Sequence, residues 1–153
     1  MKTGIFLALS VLLGLIGLPS HRQTRTSHYR EMAKKVLEAR EPKTNWRVNT
    51  LLKADFDCDG TVDYAFSGQQ GNRYAIGVLK GPIKASSKHW IITFESGRQS
   101  QDSLCSLDAR INLEQRQDHK NRQCKGINLH DDMCDSFHIY WNRVRKKFVW
   151  SRL

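Results

Sequence analysis

The chain has 153 residues, 39% hydrophobic and 26% charged, with a formal net charge of +10. That length suits one domain, and that balance excludes a disordered or low-complexity chain. The positive charge favours encounter with anions. Basic clusters interleaved with stacking aromatics are absent, so nucleic acid is not an expected partner.

The chain opens on Met1-Lys2-Thr3, followed by fifteen uncharged residues, GIFLALSVLLGLIGL. A membrane span needs about 20 apolar residues, so this run reads as the core of a secretory signal peptide over residues 1–20. Export to the periplasm or the extracellular space is expected, with no transmembrane segment in the mature form. Losing Lys2 with the signal changes the net charge from +10 to +9. Residues 21–27 (HRQTRTS) read as a flexible basic lead-in, and residues 28–153 as a single α+β domain.

Over residues 28–41, Tyr29, Met32, Ala33, Val36 and Leu37 recur at helical spacing. This predicts an amphipathic helix, with Ser27 as its cap and Pro42 as its stop. Arg30, Lys34, Lys35 and Arg40 form a basic patch on its other face. From residue 21 to 53 there are nine Lys/Arg against three Glu, a net of +6 that concentrates the charge before the strands. An anionic envelope component or another exported protein is the kind of partner such a surface would meet.

After residue 44 the period falls to two: Trp46, Val48, Thr50 and Leu52 alternate with Arg47, Asn49 and Leu51. Thr61–Ser67 and Tyr74–Leu79 read as a hairpin joined through residues 68–72. His89–Phe94 and Leu107–Leu113 read as further strands, with loops at 96–103 and 114–123. In residues 134–142, Phe137, Ile139 and Trp141 alternate with Ser136, His138 and Tyr140, and Phe148–Trp150 returns after a polar turn. The expected fold class is α+β: one N-terminal amphipathic helix packed on a mainly antiparallel twisted β-sheet, disulfide-braced. Phe137, Trp141, Phe148 and Trp150 are expected to pack the core rather than form a stacking platform.

Four cysteines, Cys58, Cys105, Cys124 and Cys134, lack the CxxC spacing of zinc ribbons and redox dithiols. In an exported chain an even count predicts two disulfides, and three pairings are possible. The preferred set is Cys124–Cys134 with Cys58–Cys105.

The sharpest constellation is Asp55-Phe56-Asp57-Cys58-Asp59-Gly60-Thr61-Val62-Asp63. Carboxylates at positions 1, 3, 5 and 9 match the spacing a hard cation with several oxygen ligands requires, and Gly60 allows the sharp turn. Position 12, where an EF-hand carries glutamate, is Phe66, and both flanks look like strands. The nonapeptide resembles the strand-flanked DxDxDGxxD calcium loops of FG-GAP and VCBS repeats, and less closely those of dockerins. It covers about a dozen residues in one copy. That resemblance implies a structural Ca2+ held by the side chains of Asp55, Asp57, Asp59 and Asp63 and the main chain of Thr61. Cys58, unusual at position 4, could tie the loop to a neighbouring strand. The combined signal, DFDCDG loop and CDSFHIYW hairpin resembles small exported bacterial proteins.

Other candidates are weaker. The run His130-Asp131-Asp132 reads as a polar turn, Ser136 and His138 share a strand face without a nucleophile elbow, and no phosphate loop, nucleotide fingerprint or HExxH is present. No catalytic residue is assigned. The expected function is an exported non-enzymatic module with a structural calcium loop, binding a macromolecule or an anionic surface. Two alternatives remain open. One is a small secreted hydrolase or nuclease using the Asp loop with His130 or His138. The other is a periplasmic inhibitor of a secreted hydrolase, for which a cationic target is disfavoured by like charge.

Overall fold

The computed structural model describes residues 21–97, 102–115 and 124–152, with side chains from Ser27 onward. The expected signal segment, part of the 96–103 loop and most of the 114–123 loop lie outside the described residues. No helix among the described residues is long and apolar enough to cross a membrane.

The helix α1 spans His21–Arg40. It starts seven residues earlier than the apolar stripe suggests, so residues 21–27 are helical rather than an irregular lead-in, and Ser27 lies inside the helix rather than at its cap. Nothing in His21–Arg40 opposes this, since the segment has neither glycine nor proline. The helix stops ahead of Pro42, which disfavours helical geometry in the preceding residue. The amide of Glu41 closes the last turn on the Leu37 carbonyl at 2.7 Å.

Among the described residues eight strands follow: β1 (Asn45–Ala54), β2 (Asp63–Gln70), β3 (Arg73–Leu79), β4 (His89–Glu95), β5 (Arg110–Gln115), β6 (Lys125–His130), β7 (Phe137–Asn142) and β8 (Lys147–Arg152). They form two antiparallel sheets, ordered β1-β2-β3-β4 and β5-β6-β7-β8. The expectation of one sheet is therefore corrected to two. The helix and the mainly antiparallel strands are as expected.

The sheets pack face to face. Between them lie Tyr74, Ile76, Val78 and Phe94 from the first sheet and Ile127, Phe137, Ile139 and Trp141 from the second. Aromatic edges set the spacing: Trp90 meets Trp141 at 5.1 Å and Phe94 meets Phe137 at 4.8 Å between ring centroids. Trp150 also reaches Phe94, at 5.5 Å, although it remains 42% exposed.

The helix covers the other face of the first sheet. Ala33 and Leu37 are fully buried there, with Trp46, Phe66, Ala75 and Leu79, and Tyr29, Met32 and Val36 pack at the rim. The predicted stripe is thus the face that packs. Gly77 in β3 permits this approach, because a Cβ there would meet Leu37 Cδ2 at 2.8 Å and the Trp46 ring at 2.9 Å. The central strands β2 and β3 are covered on both faces, which explains the nearly unbroken apolar run Tyr74–Leu79. Between Arg47 and Leu52 the β1–β2 register shifts, and the Thr50 hydroxyl fills the gap by donating to the Arg47 carbonyl and accepting from the Ser67 amide.

The disulfides are Cys58–Cys124 and Cys105–Cys134. This overturns the preferred set, Cys124–Cys134 with Cys58–Cys105. The physical reason is β6, Lys125–His130, a stretch for which the sequence predicts no strand. By pairing with β5 and β7 it places Cys124 beside the Asp loop and frees Cys134 to meet Cys105. Two disulfides are the chemistry of an oxidising compartment and agree with export to that extent.

Candidate metal centre

The Asp loop connects β1 to β2. Two left-handed residues turn it sharply, Cys58 (φ 63°) and Gly60 (φ 88°). Glycine accepts that conformation freely. Cys58 is held there by its disulfide to Cys124. A parallel bridge between Asp55 and Cys124, with the Lys125 amide donating to the Asp55 carbonyl at 3.0 Å, stitches the loop to the start of β6. Cys58 therefore does tie the loop to a neighbouring strand.

Carboxylates organise the turn from within. Asp55 accepts from the amides of Asp59 (3.1 Å) and Gly60 (2.9 Å), and Asp59 accepts from the Thr61 amide (2.9 Å). Asp63 is fully buried and accepts three amides: Phe56 and Asp57 on Oδ2, and Gly81 on Oδ1 at 3.2 Å. Burial, opposed by those amides and reinforced by nearby Asp57, pushes Asp63 up to about 6.

The loop brings together three of the four expected side-chain ligands. One carboxylate oxygen from each of Asp55, Asp57 and Asp63 lies within 4.8 Å of the others. The fourth, Asp59, turns to Lys80, whose ammonium contacts Asp57 Oδ2 at 2.9 Å and also Asp59 Oδ2. The Lys80 contact holds Asp59 down to about 2, and the same pair raises Lys80 above its ordinary value. Thr61 enters through its amide to Asp59. Phe66, at position 12, is a fully buried core residue and offers no ligand atom.

The fit to a cation rests on Asp57. Its side chain is 7% exposed, and its Oδ1 is buried with no hydrogen-bond partner. A buried carboxylate oxygen without a donor is costly. A hard divalent cation shared with Asp55 and Asp63 would satisfy it, and amide-bonded carboxylate oxygens retain lone pairs for the purpose.

The remaining candidates are dispersed. In the basic patch, Lys35 and Arg40 are exposed and Arg30 and Lys34 are half-buried. Lys34 faces Glu38 at 3.7 Å and Arg40 donates to the Ala85 carbonyl at 3.4 Å. His130 caps the far end of β6, about 20 Å of strand from Cys124 at about 3.3 Å per residue, and so away from the Asp loop. Instead, His130 Nδ1 lies 2.9 Å from Ser136 Oγ and its Nε2 lies 3.0 Å from Asp132, which Arg110 also holds at 3.0 Å. His138 pairs with Glu114 rather than with Ser136.

Sequence reasoning missed Lys80, and it read Asp131 only as part of a polar turn, without its burial. Asp131 is 1% exposed and accepts the amides of Cys105, Ser106 and Met133, fixing the turn beside the second disulfide. Lys80, at the end of an apolar strand, reads as a solvated flank, and only the Gly81-Pro82 break beside it marks a change of direction.

No protein-family model, no curated protein and no solved structure matches the chain.

Proposed function

We propose that the protein is an exported, non-enzymatic binding module whose Asp loop holds a structural Ca2+ through Asp55, Asp57 and Asp63, with Asp59 and the Thr61 main chain completing the set. The observation that carries this reading is the unpartnered, buried Asp57 Oδ1 inside a three-carboxylate cluster. The ion stiffens the β1–β2 connection, which the Cys58–Cys124 disulfide already anchors. Basic residues of α1, Lys35 and Arg40 foremost, supply electrostatic attraction toward an anionic envelope component or an acidic exported protein.

Thermal unfolding of the oxidised protein in EGTA and then in excess calcium tests the site. Binding to the native state alone stabilises it by about 2.7 kcal/mol at a ligand concentration one hundred times Kd. For a domain of this size that is a rise of about 10 °C. Asp57→Ala removes the rise. An unchanged melting curve sinks the calcium reading.

One observation favours a second reading, a small hydrolase. The Asp132–His130–Ser136 chain has the connectivity of a nucleophile, its base and the group that orients the base. That reading predicts labelling of Ser136 by a fluorophosphonate probe, lost in His130→Ala. An unlabelled Ser136 leaves the chain as a hydrogen-bonded surface turn, as its half-exposed His130 and exposed Asp132 suggest.

A further inference from the structure

The Asp loop already has a cation near it. The Lys80 ammonium lies against Asp57 and Asp59, and the next residue, Gly81, donates its amide to Asp63. The short segment after β3 thus touches three of the four loop carboxylates. It is also pinned from behind, since the Lys80 amide donates to the Lys88 carbonyl at 2.9 Å.

Charge and geometry make a divalent ion and this ammonium rivals. Asp57 offers Oδ2 to Lys80 and keeps Oδ1 unpartnered. Asp59, the ligand expected at position 5, is turned to Lys80 and stands outside the three-carboxylate cluster. Assembling all four carboxylates on one ion requires Asp59 to leave Lys80. Holding the ammonium beside a divalent ion would also bring like charges close in a partly desolvated site.

We propose that Lys80 is the resident cation of the Asp loop and is exchanged for the divalent ion when that ion binds. The inference rests on the calcium reading and deepens it, because calcium uptake becomes a swap of cations rather than the filling of an open site. The intrinsic affinity of the carboxylates is then lowered by the cost of dislodging Lys80. The released side chain, on the connection to β4 that also carries Lys84 and Lys88, adds to the exposed positive charge when calcium is bound.

Calcium titration and thermal unfolding of the full chain, wild type beside Lys80→Met, test the exchange. The variant is expected to bind calcium about tenfold more tightly, the equivalent of 1.4 kcal/mol. It should melt lower than wild type in EGTA, where Asp57 and Asp59 lose their partner, and level with wild type in saturating calcium. Equal calcium affinities, or a deficit in melting temperature as large with calcium as without, would show that Lys80 is a fixed structural ion pair, leaving the calcium reading intact. Calcium binding by neither protein overturns both. Should the variant not fold, amine acylation of wild-type Lys80 read by peptide mass spectrometry gives the same answer. Exchange predicts protection in EGTA and modification in calcium, and equal modification in both contradicts it.

Discussion

Replacing Cys58 and Cys124 together by serine is expected to destabilise the protein by about 4 kcal/mol. The bond closes a loop across a sequence separation of 66 residues, and cross-linking a chain at that separation removes unfolded-state entropy on this scale. The Cys105–Cys134 bond spans 29 residues, so its removal costs about 3.5 kcal/mol by the same relation. Only the first pair also reaches the Asp loop. Cys58 is held at φ 63°, and without its bond the turn that gathers Asp55, Asp57 and Asp63 loosens. Denaturant unfolding of both double variants, with and without calcium, separates the two effects. Both variants lose stability, but only Cys58→Ser/Cys124→Ser also loses calcium affinity. Equal calcium affinity in the two would mean that the loop holds its shape without the disulfide.

The second large effect is an inverted pH dependence in metal-free protein. Asp63 is pushed from 3.8 up to about 6, chiefly by burial. The native state therefore favours the protonated form. This group's stabilising contribution is complete below about pH 4, falls as pH rises through 6 and is flat above. A displacement of that size corresponds to about 3 kcal/mol. Asp59 works in the opposite sense. Lys80 holds it down to about 2, so its contribution is present above 3.8 and disappears only as pH falls toward 2. In EGTA, stability is thus expected to peak near pH 4 and decline toward pH 6, against the usual trend. Calcium needs Asp63 ionised, so it binds more tightly as pH rises and cancels the decline. Asp63→Asn flattens the EGTA profile between pH 4 and 6. A metal-free profile that rises over that interval would contradict the buried environment assigned to Asp63.

Much of the fold is written in local periodicity. The α1 stripe of Tyr29, Met32, Ala33, Val36 and Leu37 is legible because helical spacing and burial coincide. The β7 alternation is equally plain, with Phe137, Ile139 and Trp141 inward. Strand β6 is not legible. Lys125–His130 shows only Ile127 and Leu129 as its apolar signal, and Gly126 and Asn128 read as turn residues. Gly126 stays small because a Cβ there would meet the Ile139 carbonyl oxygen at 3.1 Å, a tertiary fact with no sequence signature. Missing β6 hid the second sheet and with it the disulfide pairing, which depends on where the chain brings Cys124.

The candidate centre divides in the same way. Asp spacing and Gly60 mark a cation-type turn from sequence alone, because every contributor lies within nine residues. Lys80 is invisible there: it arrives from the end of β3, through β2–β3 pairing that sets Leu79 opposite Tyr64, next to Asp63. The same tertiary approach brings the Gly81 amide onto Asp63, where it opposes the rise in pKa that burial causes.

Isothermal titration of the oxidised, metal-stripped protein with calcium at pH 7 tests the central claim most directly. One ion per chain is predicted, with binding abolished in Asp57→Ala and retained in a control such as Asp108→Ala, outside the loop. Absence of binding heat in wild type, confirmed by equal melting temperatures in EGTA and calcium, would contradict the account and leave the Asp loop as a turn neutralised by Lys80 alone.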